Sequence, residues 1–314
     1  MTDYMAGPSN QRNPSNITAR DVSMTSIIWK RFRRHPGAIG GVVILAILII
    51  LVLLVPLSPY DPEASSMTER LQPPSLAHPM GTDALGRDQL TRVLYGGRVS
   101  LTVGLLVVVI SLSIGVPMGA LAGYYGGRLD TILMRITDAF LTLPTLLVLI
   151  LLSAILREVD APFFESNSIL TIALVIGILS WMTFARLVRA LFLTLRELDY
   201  VSASRALGGS DLRIITRHIL PNSIGPIIVE ATLELGYAII EESGLSFLGF
   251  GIQPPTPSWG NLLSNAQENF TNYPWLAIFP GLMIFLAIIS VNYIGDGLRD
   301  AFDPHKVFGM PEEH

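Results

Sequence analysis

Four glutamates lie in one otherwise apolar stretch of the chain, residues 221–248. Glu230 and Glu234 are four residues apart, so in a helix they share a face, while Glu241 and Glu242 follow further along. In a membrane helix, each ionised carboxylate at the bilayer centre costs about 2.5–3.5 kcal/mol on insertion scales, so contact with lipid is unfavourable. Two interpretations remain open. The carboxylates are paired or protonated and hold a helical bundle together, or they line a watery path that attracts ammonium groups or a metal complex.

The other reactive side chains do not form a catalytic pattern. A phosphate-binding loop needs glycine directly before lysine, whereas Lys30 follows tryptophan and Lys306 follows histidine. Ser246 lies in the stretch Gly-Leu-Ser-Phe-Leu-Gly, which is one residue longer than the G-x-S-x-G setting of a serine hydrolase. We therefore expect no catalytic residue in this chain.

Histidine and cysteine give no indication of a metal site. The chain has no cysteine, which excludes disulfides, thiolate zinc sites and cysteine nucleophiles. Its five histidines lack the i, i+4 spacing of helical metal ligands and lie outside the apolar stretches. They are His35, His78, His218, His305 and His314. We expect no metal and no other cofactor bound to this chain.

The composition indicates a protein that lipid solvates. Of the 314 residues, 50% are hydrophobic and only 15% are charged, whereas soluble domains carry about 25% charged residues. The mean hydropathy is +0.52, and the charge deficit is concentrated in long uncharged runs. The small net charge of −4 argues against a nucleic-acid partner.

The uncharged runs predict six membrane-spanning helices, because a helix needs about 20 apolar residues to cross the hydrocarbon core. The predicted spans are 37–57, 99–127, 139–156, 166–185, 221–248 and 269–295. A signal peptide is the alternative for the first run, but more than thirty residues precede it and no A-x-A site follows. The predicted organisation is a polar and basic segment 1–36, a first span 37–57, an external segment 58–98, a five-helix core 99–300 and a tail 301–314.

The distribution of positive charge predicts the orientation of these spans. With the amino terminus in the cytosol, only five of the 21 lysines and arginines fall on the external side. They are Arg70, Arg87, Arg92, Arg98 and Arg157. An excess of basic residues inside is the usual bias of membrane proteins, so we expect both termini and the loop 196–220 in the cytosol.

The loop 196–220 between the fourth and fifth spans predicts two short helices separated by a glycine turn. Helix-forming residues continue to Leu207, Gly208 and Gly209 end the helix, and Ser210 with Asp211 favours a new start, which Pro221 would disturb. Four apolar residues are available for a partner, namely Val201, Ala203, Leu207 and Leu212. The alternative is an amphipathic connector whose basic residues Arg205, Arg213 and Arg217 face anionic lipid.

This loop resembles the "EAA" loop of the membrane subunits of ABC importers, whose pattern is E-A-A, a glycine and a downstream L-P. Gly208 and Leu220-Pro221 have the matching separation, whereas Ser202-Ala203-Ser204 replaces E-A-A. The resemblance implies that the loop is a coupling helix that docks on a cytosolic ATPase subunit. The residues it implicates are Ser202, Ala203, Ser204, Arg205, Leu207, Gly208, Gly209, Leu212, Leu220 and Pro221.

Further stretches are similar to the dipeptide/oligopeptide/nickel branch of ABC permeases, in the order of that family. They are Gly-Thr-Asp-Ala-Leu-Gly-Arg-Asp at 81–88, Leu-Tyr-Gly-Gly-Arg at 94–98, Leu-Ser-Phe-Leu-Gly at 245–249, Pro-Pro-Thr-Pro-Ser-Trp-Gly at 254–260 and Gly-Asp-Gly-Leu-Arg-Asp at 295–300. The amino-terminal segment and first span look like the C-type of the two paired permeases.

The resemblance implies an all-α integral membrane protein with the ABC importer type I permease fold. Its implied partners are a homologous permease in a heterodimer, two cytosolic ATPase subunits that carry ATP and Mg, an external solute-binding protein and membrane lipid. The implied cargo is a di- or oligopeptide, with nickel chelates and oligosaccharides as alternatives. A proton-coupled carrier that uses the four glutamates as a relay is the alternative from another class.

The predicted external loop between the last two spans, 249–273, is a candidate receiver for the binding protein. It contains a proline-rich run, and its candidate contacts are Pro254, Pro255 and Trp259. The alternative is a rigid cap over the pore with aromatic side chains at the membrane interface.

Overall fold

The computed structural model describes residues 24–158 and 169–303, and most of these residues are helical. The helices are α1 Met24–Phe32, α2 Pro36–Leu54, α3 Gln89–Tyr125, α4 Gly127–Leu141, α5 Thr145–Glu158, α6 Ile169–Leu195, α7 Asp199–Ala206, α8 Asp211–Ile214, α9 Leu220–Phe247, α10 Trp259–Ala266 and α11 Trp275–Phe302. Short 3₁₀ turns occur at Val55–Leu57, Met67–Glu69 and Gln267–Asn269, and a π-helical turn at Ile215–Ile219 joins α8 to α9. The polar tail before residue 24, most of the tail 301–314 with Lys306, His305 and His314, and the side chain of Arg157 lie outside the described residues.

The predicted all-α membrane architecture is confirmed. Five helical stretches of the described chain are long and apolar enough to cross a membrane, namely Pro36–Leu57, Gln89–Tyr125, Ile169–Leu195, Asp211–Phe247 and Trp275–Phe302. A sixth crossing is formed if the pair Gly127–Leu141 and Thr145–Leu156, which is bent by 87°, counts as one span. Pro144 explains this bend, because proline has no backbone N–H and disfavours helical geometry at the residue before it.

The second span is longer than its apolar run. Its helix α3 begins at Gln89 rather than at the predicted residue 99, because Asp88 caps it. The Asp88 carboxylate accepts hydrogen bonds from the Thr91 backbone N–H (2.8 Å) and the Thr91 hydroxyl (2.7 Å). Such a cap satisfies backbone donors that the first turn of a helix leaves unpaired. The two ends of the bundle are named here after this helix, as the Asp88 end and the Tyr124 end.

The helices α3 and α6 form the most extensive contact in the bundle. Gly115, Gly119 and Gly123 of α3 face α6 so closely that an added Cβ atom would collide with its backbone. Small residues spaced by four allow this approach in membrane helices, where van der Waals packing replaces the hydrophobic effect. The two helices therefore pack as one unit, and α2 and α9 pack on the last helix, α11.

The segment between α2 and α3 folds onto the Asp88 end of the bundle. The His78 ring lies 2.9 Å from an Asp88 carboxylate oxygen, and the buried guanidinium of Arg92 donates to the Pro62 carbonyl oxygen at 2.7 Å. Burial of a polar group is costly unless the group is hydrogen-bonded, so these two contacts favour a defined conformation of the segment.

Candidate functional site

The loop between α6 and α9 has the helix, glycine turn and second helix that its sequence predicts. Helix α7 is followed by Leu207 and then by Gly208 at φ +79°, a conformation that favours glycine. The second helix is not ended by Pro221. The π-helical turn lets the Leu220 N–H donate to the Ile215 carbonyl oxygen, so α8 continues into α9 as one helical stretch.

Two large apolar side chains of this loop project from the molecule. Leu207 is 89% exposed and Leu212 is 72% exposed. Of the other predicted coupling residues, some are exposed and some half-buried. Ser202, Ala203, Arg205, Gly208 and Pro221 are exposed, and Ser204, Gly209 and Leu220 are half-buried. A surface of this kind is available to a docking partner.

The prediction that Val201 is available for a partner is wrong. Val201 and Ile214 are fully buried in a cluster with Tyr124, Val188 and Phe192 of the spans. Because a short amphipathic helix has one apolar face, the face that holds the loop on the bundle cannot also face a partner. Val201 thus anchors the loop, whereas Leu207 and Leu212 face outward.

Three of the four glutamates of α9 form one stripe. At about 100° per residue, Glu230, Glu234 and Glu241 fall within roughly 40° of each other around the helix, and Tyr237 lies on the same stripe. Glu230 and Glu241 are half-buried and Tyr237 is exposed, whereas Glu234 is buried. One carboxylate oxygen of Glu234 has no hydrogen-bond partner within the described ranges. Within the described residues, the stripe therefore contains one buried carboxylate oxygen without a hydrogen-bond partner, between two half-buried carboxylates.

The structure separates Glu242 from this stripe. Its carboxylate is 0% exposed and accepts hydrogen bonds from the Ser100 hydroxyl of α3 and the Ser246 hydroxyl of α9, both at 2.7 Å. These hydroxyls in turn accept from the backbone N–H groups of Trp259 (3.3 Å) and Ile252 (2.9 Å). Glu242, predicted as a path residue, instead ties the loop 249–273 to two spans.

Glu230 lines a cavity of about 530 Å³ near the Tyr124 end of the bundle. Its walls come from α6, α9 and α11, and its charged lining residues also include Arg299 and Asp303. The other lining residues are apolar, namely Leu187, Pro226, Val229, Leu233 and Phe302. A cavity with a carboxylate on an apolar wall can hold a solute that carries both a cationic and an apolar group.

The structure corrects the assignment of Trp259 in the loop 249–273. Pro254 and Pro255 are exposed, but Trp259 is only 1% exposed. Its indole N–H donates to the Val93 carbonyl oxygen at 3.0 Å, and its ring packs over Gly97. A large aromatic ring gains most when it is buried with its N–H paired, so Trp259 belongs to the core and the exposed prolines remain the candidate contacts.

Sequence reasoning overlooked Ser100 and Tyr124. Ser100 lies in the helix of the second span and Tyr124 near its end, and single polar residues there have no motif. The only signal was that a hydroxyl in a membrane helix needs an acceptor.

Within the described ranges, no group of three His, Asp or Glu side chains is placed to hold a metal ion.

Two families match the chain. Residues 115–307 match "Binding-protein-dependent transport system inner membrane component". Residues 23–74 match "N-terminal TM domain of oligopeptide transport permease C".

Similar proteins extend over most of the chain. The dipeptide transport system permease protein DppC of Alkalihalophilus pseudofirmus is 41% identical, over 88% of this chain and 88% of that protein. DppC of Bacillus subtilis is 38% identical, over 96% and 92% respectively. The glutathione transport system permease protein GsiD of Pectobacterium atrosepticum is 41% identical, over 88% and 89%.

The fold is similar to that of a chain in solved structures of the MetNI methionine ABC transporter in inward facing conformations. The match has a TM-score of 0.55 and covers 68% of this chain and 96% of the other chain. The sequences are 18% identical. At this level the likeness concerns the fold alone.

Proposed function

The chain belongs to the family of inner membrane components of binding-protein-dependent transport systems, and we propose that it forms half of the translocation path of an ATP-driven importer of di- or oligopeptides. The observation that carries the cargo is the likeness, at 38–41% identity, to permeases named for dipeptides and glutathione. The chain is a transport subunit, and ATP hydrolysis belongs to partner subunits.

The proposed complex contains a homologous permease as the second half of the path, two cytosolic ATPase subunits that bind ATP and Mg, and an external solute-binding protein. The name of the matched family supports the binding protein. The exposed Leu207 and Leu212 support a contact between the loop 196–220 and an ATPase subunit. The exposed Pro254 and Pro255 are proposed as contacts of the binding protein.

We place the Tyr124 end in the cytosol. The amino-terminal basic cluster lies at this end, because Phe32 and Ala38 pack against Ala301 at the end of α11. The loop with Arg205, Arg213 and Arg217 lies at the same end. Basic residues concentrate on the cytosolic side of membrane proteins, so the common location of these two clusters supports cytosolic termini.

The stripe of Glu230, Glu234 and Glu241 is the proposed lining of the path. Glu241 lies eleven positions after Glu230 in the helix, so the stripe extends about 16 Å, roughly half of a hydrocarbon core of about 30 Å. Contact of ionised carboxylates with lipid is costly, so we propose that the half-buried Glu230 and Glu241 face water or the partner permease, with the buried Glu234 between them. A carboxylate lining would favour the ammonium group at the amino terminus of a peptide.

The proposed mechanism is alternating access. Closure of the ATPase subunits on ATP moves the docked loop, and the spans tilt around the path between the two permeases. This chain contributes one wall and one mechanical contact, because no residue within it is proposed to perform a chemical step.

Reconstitution of the whole complex in proteoliposomes tests this function. With the binding protein outside and ATP inside, a radiolabelled dipeptide should accumulate, and vanadate should stop its uptake. Competition with unlabelled tripeptide, nickel chelate and oligosaccharide ranks the cargo classes. Uptake driven by a proton gradient in the isolated chain, without ATPase subunits, would contradict the proposal and favour a carrier.

A further inference from the structure

The last turn of α3 is bonded to the loop between α6 and α9. The Tyr124 hydroxyl donates to an Asp211 carboxylate oxygen at 2.7 Å, and the Arg205 guanidinium carbon lies 5.9 Å from the centre of the Tyr124 ring. Hydrogen bonds to ionised groups are among the stronger ones in proteins, and a guanidinium at this distance from a ring is attracted to its face. One side chain thus contacts both short helices of the loop.

A second contact at the same place is independent of the Tyr124 ring. The Arg196 guanidinium donates to the carbonyl oxygens of Gly123 (2.9 Å) and Tyr124 (3.2 Å). The buried Val201 and Ile214 pack in the same cluster as Tyr124. The loop is covalently continuous with α6 and α9 only. These contacts therefore connect it to a third helix, α3.

The helix that receives these contacts spans the molecule. Its 37 residues correspond to a length of about 55 Å. At the Asp88 end, Ser100 of α3 donates to Glu242 and so contacts the network that holds the loop 249–273. Along its length, Gly115 and Gly119 allow the α3 backbone to lie in close contact with the α6 backbone. Close-packed interfaces move as rigid units rather than deform continuously.

We propose that Tyr124 is a positioning residue for energy coupling, which holds the ATPase-contacting loop to α3 through the Asp211 carboxylate and passes loop movement to the α3–α6 pair. The inference rests on the proposed contact of the loop with an ATPase subunit. The signal runs in both directions: ATP-driven movement reaches the path, and docking of the binding protein reaches the ATPase.

The test uses the complete complex in proteoliposomes with Tyr124→Phe, which removes only the hydroxyl. Tyr125→Phe is the matched control, because it removes the same group from the adjacent residue, whose side chain is 52% exposed. Two ratios are measured: labelled dipeptide imported per ATP hydrolysed, and ATP hydrolysis with and without the binding protein. A hydrogen bond to a charged group predicts a loss of several-fold to about tenfold in both ratios for Tyr124→Phe.

A double-mutant cycle assigns the effect to the bond. Asp211→Ala should cause a similar loss, and Tyr124→Phe with Asp211→Ala should be no worse than either single variant. A double variant whose loss is the product of the two single losses would overturn the proposal. So would a Tyr124→Phe complex that matches Tyr125→Phe in both ratios.

Assembly and basal ATP hydrolysis are measured for each complex. If Tyr124→Phe does not assemble, Asp211→Asn tests the proposal instead, because it keeps an acceptor oxygen but removes the charge. A reduced import per ATP with that variant supports the proposal, and an unchanged ratio overturns it. Failure of the peptide-import function appears separately, as a wild-type complex that does not accumulate the dipeptide.

Discussion

Glu241 and Glu242 are adjacent in α9, yet their carboxylates lie in different surroundings. Glu242 is enclosed and accepts hydrogen bonds from two serine hydroxyls, whereas Glu241 is half-buried on the stripe with Glu230 and Glu234. A turn of about 100° per residue separates neighbouring side chains in a helix. Glu242 therefore ties a loop to the spans, whereas Glu241 remains partly exposed on the surface of this chain.

Glu242→Gln should lower the thermal stability of the complex. Glutamine has one acceptor oxygen for the two serine hydroxyls that the carboxylate satisfies, and an unsatisfied buried group costs about 1–3 kcal/mol. The midpoint of thermal unfolding in lipid nanodiscs measures the effect. Glu241→Gln is the matched control and should leave the midpoint unchanged; equal midpoints for the two variants would contradict the distinction.

The paired substitution Glu230→Gln with Glu234→Gln should lower transport several-fold without lowering assembly or basal ATP hydrolysis. The physical reason is the loss of negative charge that attracts a cationic amino terminus in a medium of low dielectric constant. Uptake rates in proteoliposomes should fall more for a free dipeptide than for its N-acetylated form. Unchanged rates for both peptides would rule out an anionic lining.

At the scale of helices, two features of the spans arise from glycine and proline. The α3–α6 contact depends on Gly115, Gly119 and Gly123, whose missing side chains let backbones approach. The predicted third span, 139–156, covers the end of α4 and most of α5; Pro144 interrupts it, and the two helices meet at 87°. Both residue types are frequent in membrane helices, so only packing distinguishes a contact from a break.

Gly119→Ala should destabilise the protein by about 1–3 kcal/mol, because overpacking forces neighbouring atoms to shift. The added Cβ would meet the Ala185 carbonyl oxygen and the Val188 side chain. Gly40→Ala in α2 is the control, since a Cβ there meets open space. Thermal unfolding of both purified variants gives the comparison, and equal stability would argue against backbone packing of α3 on α6.

At the scale of the whole molecule, the two ends of the bundle offer different surfaces. The Tyr124 end carries a projecting loop with exposed leucines, and the Asp88 end is covered by two ordered segments held by buried polar contacts. Helix α3 joins the ends. This arrangement suits a subunit that contacts a moving partner on one side and a soluble partner on the other.

Leu212→Asp should weaken binding of the ATPase subunit by about tenfold or more, because a carboxylate would replace an apolar contact at the centre of the proposed interface. Leu76→Asp is the control, since Leu76 is also exposed but lies in the segment at the Asp88 end. Co-purification from detergent measures the binding. Ile214 is unsuitable for this test, because it is fully buried and its substitution would disturb the fold.

If both aspartate variants co-purify with the ATPase subunit as the wild type does, the loop is not the docking surface. Loss of binding with both variants would indicate general misfolding rather than a local contact. Only a selective loss with Leu212→Asp agrees with the proposal.

The amino-acid sequence alone was sufficient for the all-α membrane class, for the apolar runs that become spans, and for the glycine-broken loop. Solvation by lipid and the breaking of a helix by glycine depend on residue type and on neighbours along the chain. Both can therefore be predicted from the sequence. The departure of Ser202-Ala203-Ser204 from E-A-A did not prevent the helix, since serine and alanine still permit it.

Three features could be learned only from the tertiary structure. They are the separation of Glu242 from the glutamate stripe, the burial of Trp259 and Val201, and the contact of Tyr124 with Asp211. Each depends on which faces of distant helices meet: Ser100 is 142 residues from Glu242, and Tyr124 is 87 residues from Asp211. The sequence shows that a side chain is polar, but its role is determined by the partner that packing brings to it. For this reason the four glutamates looked alike in the sequence and are different in the structure.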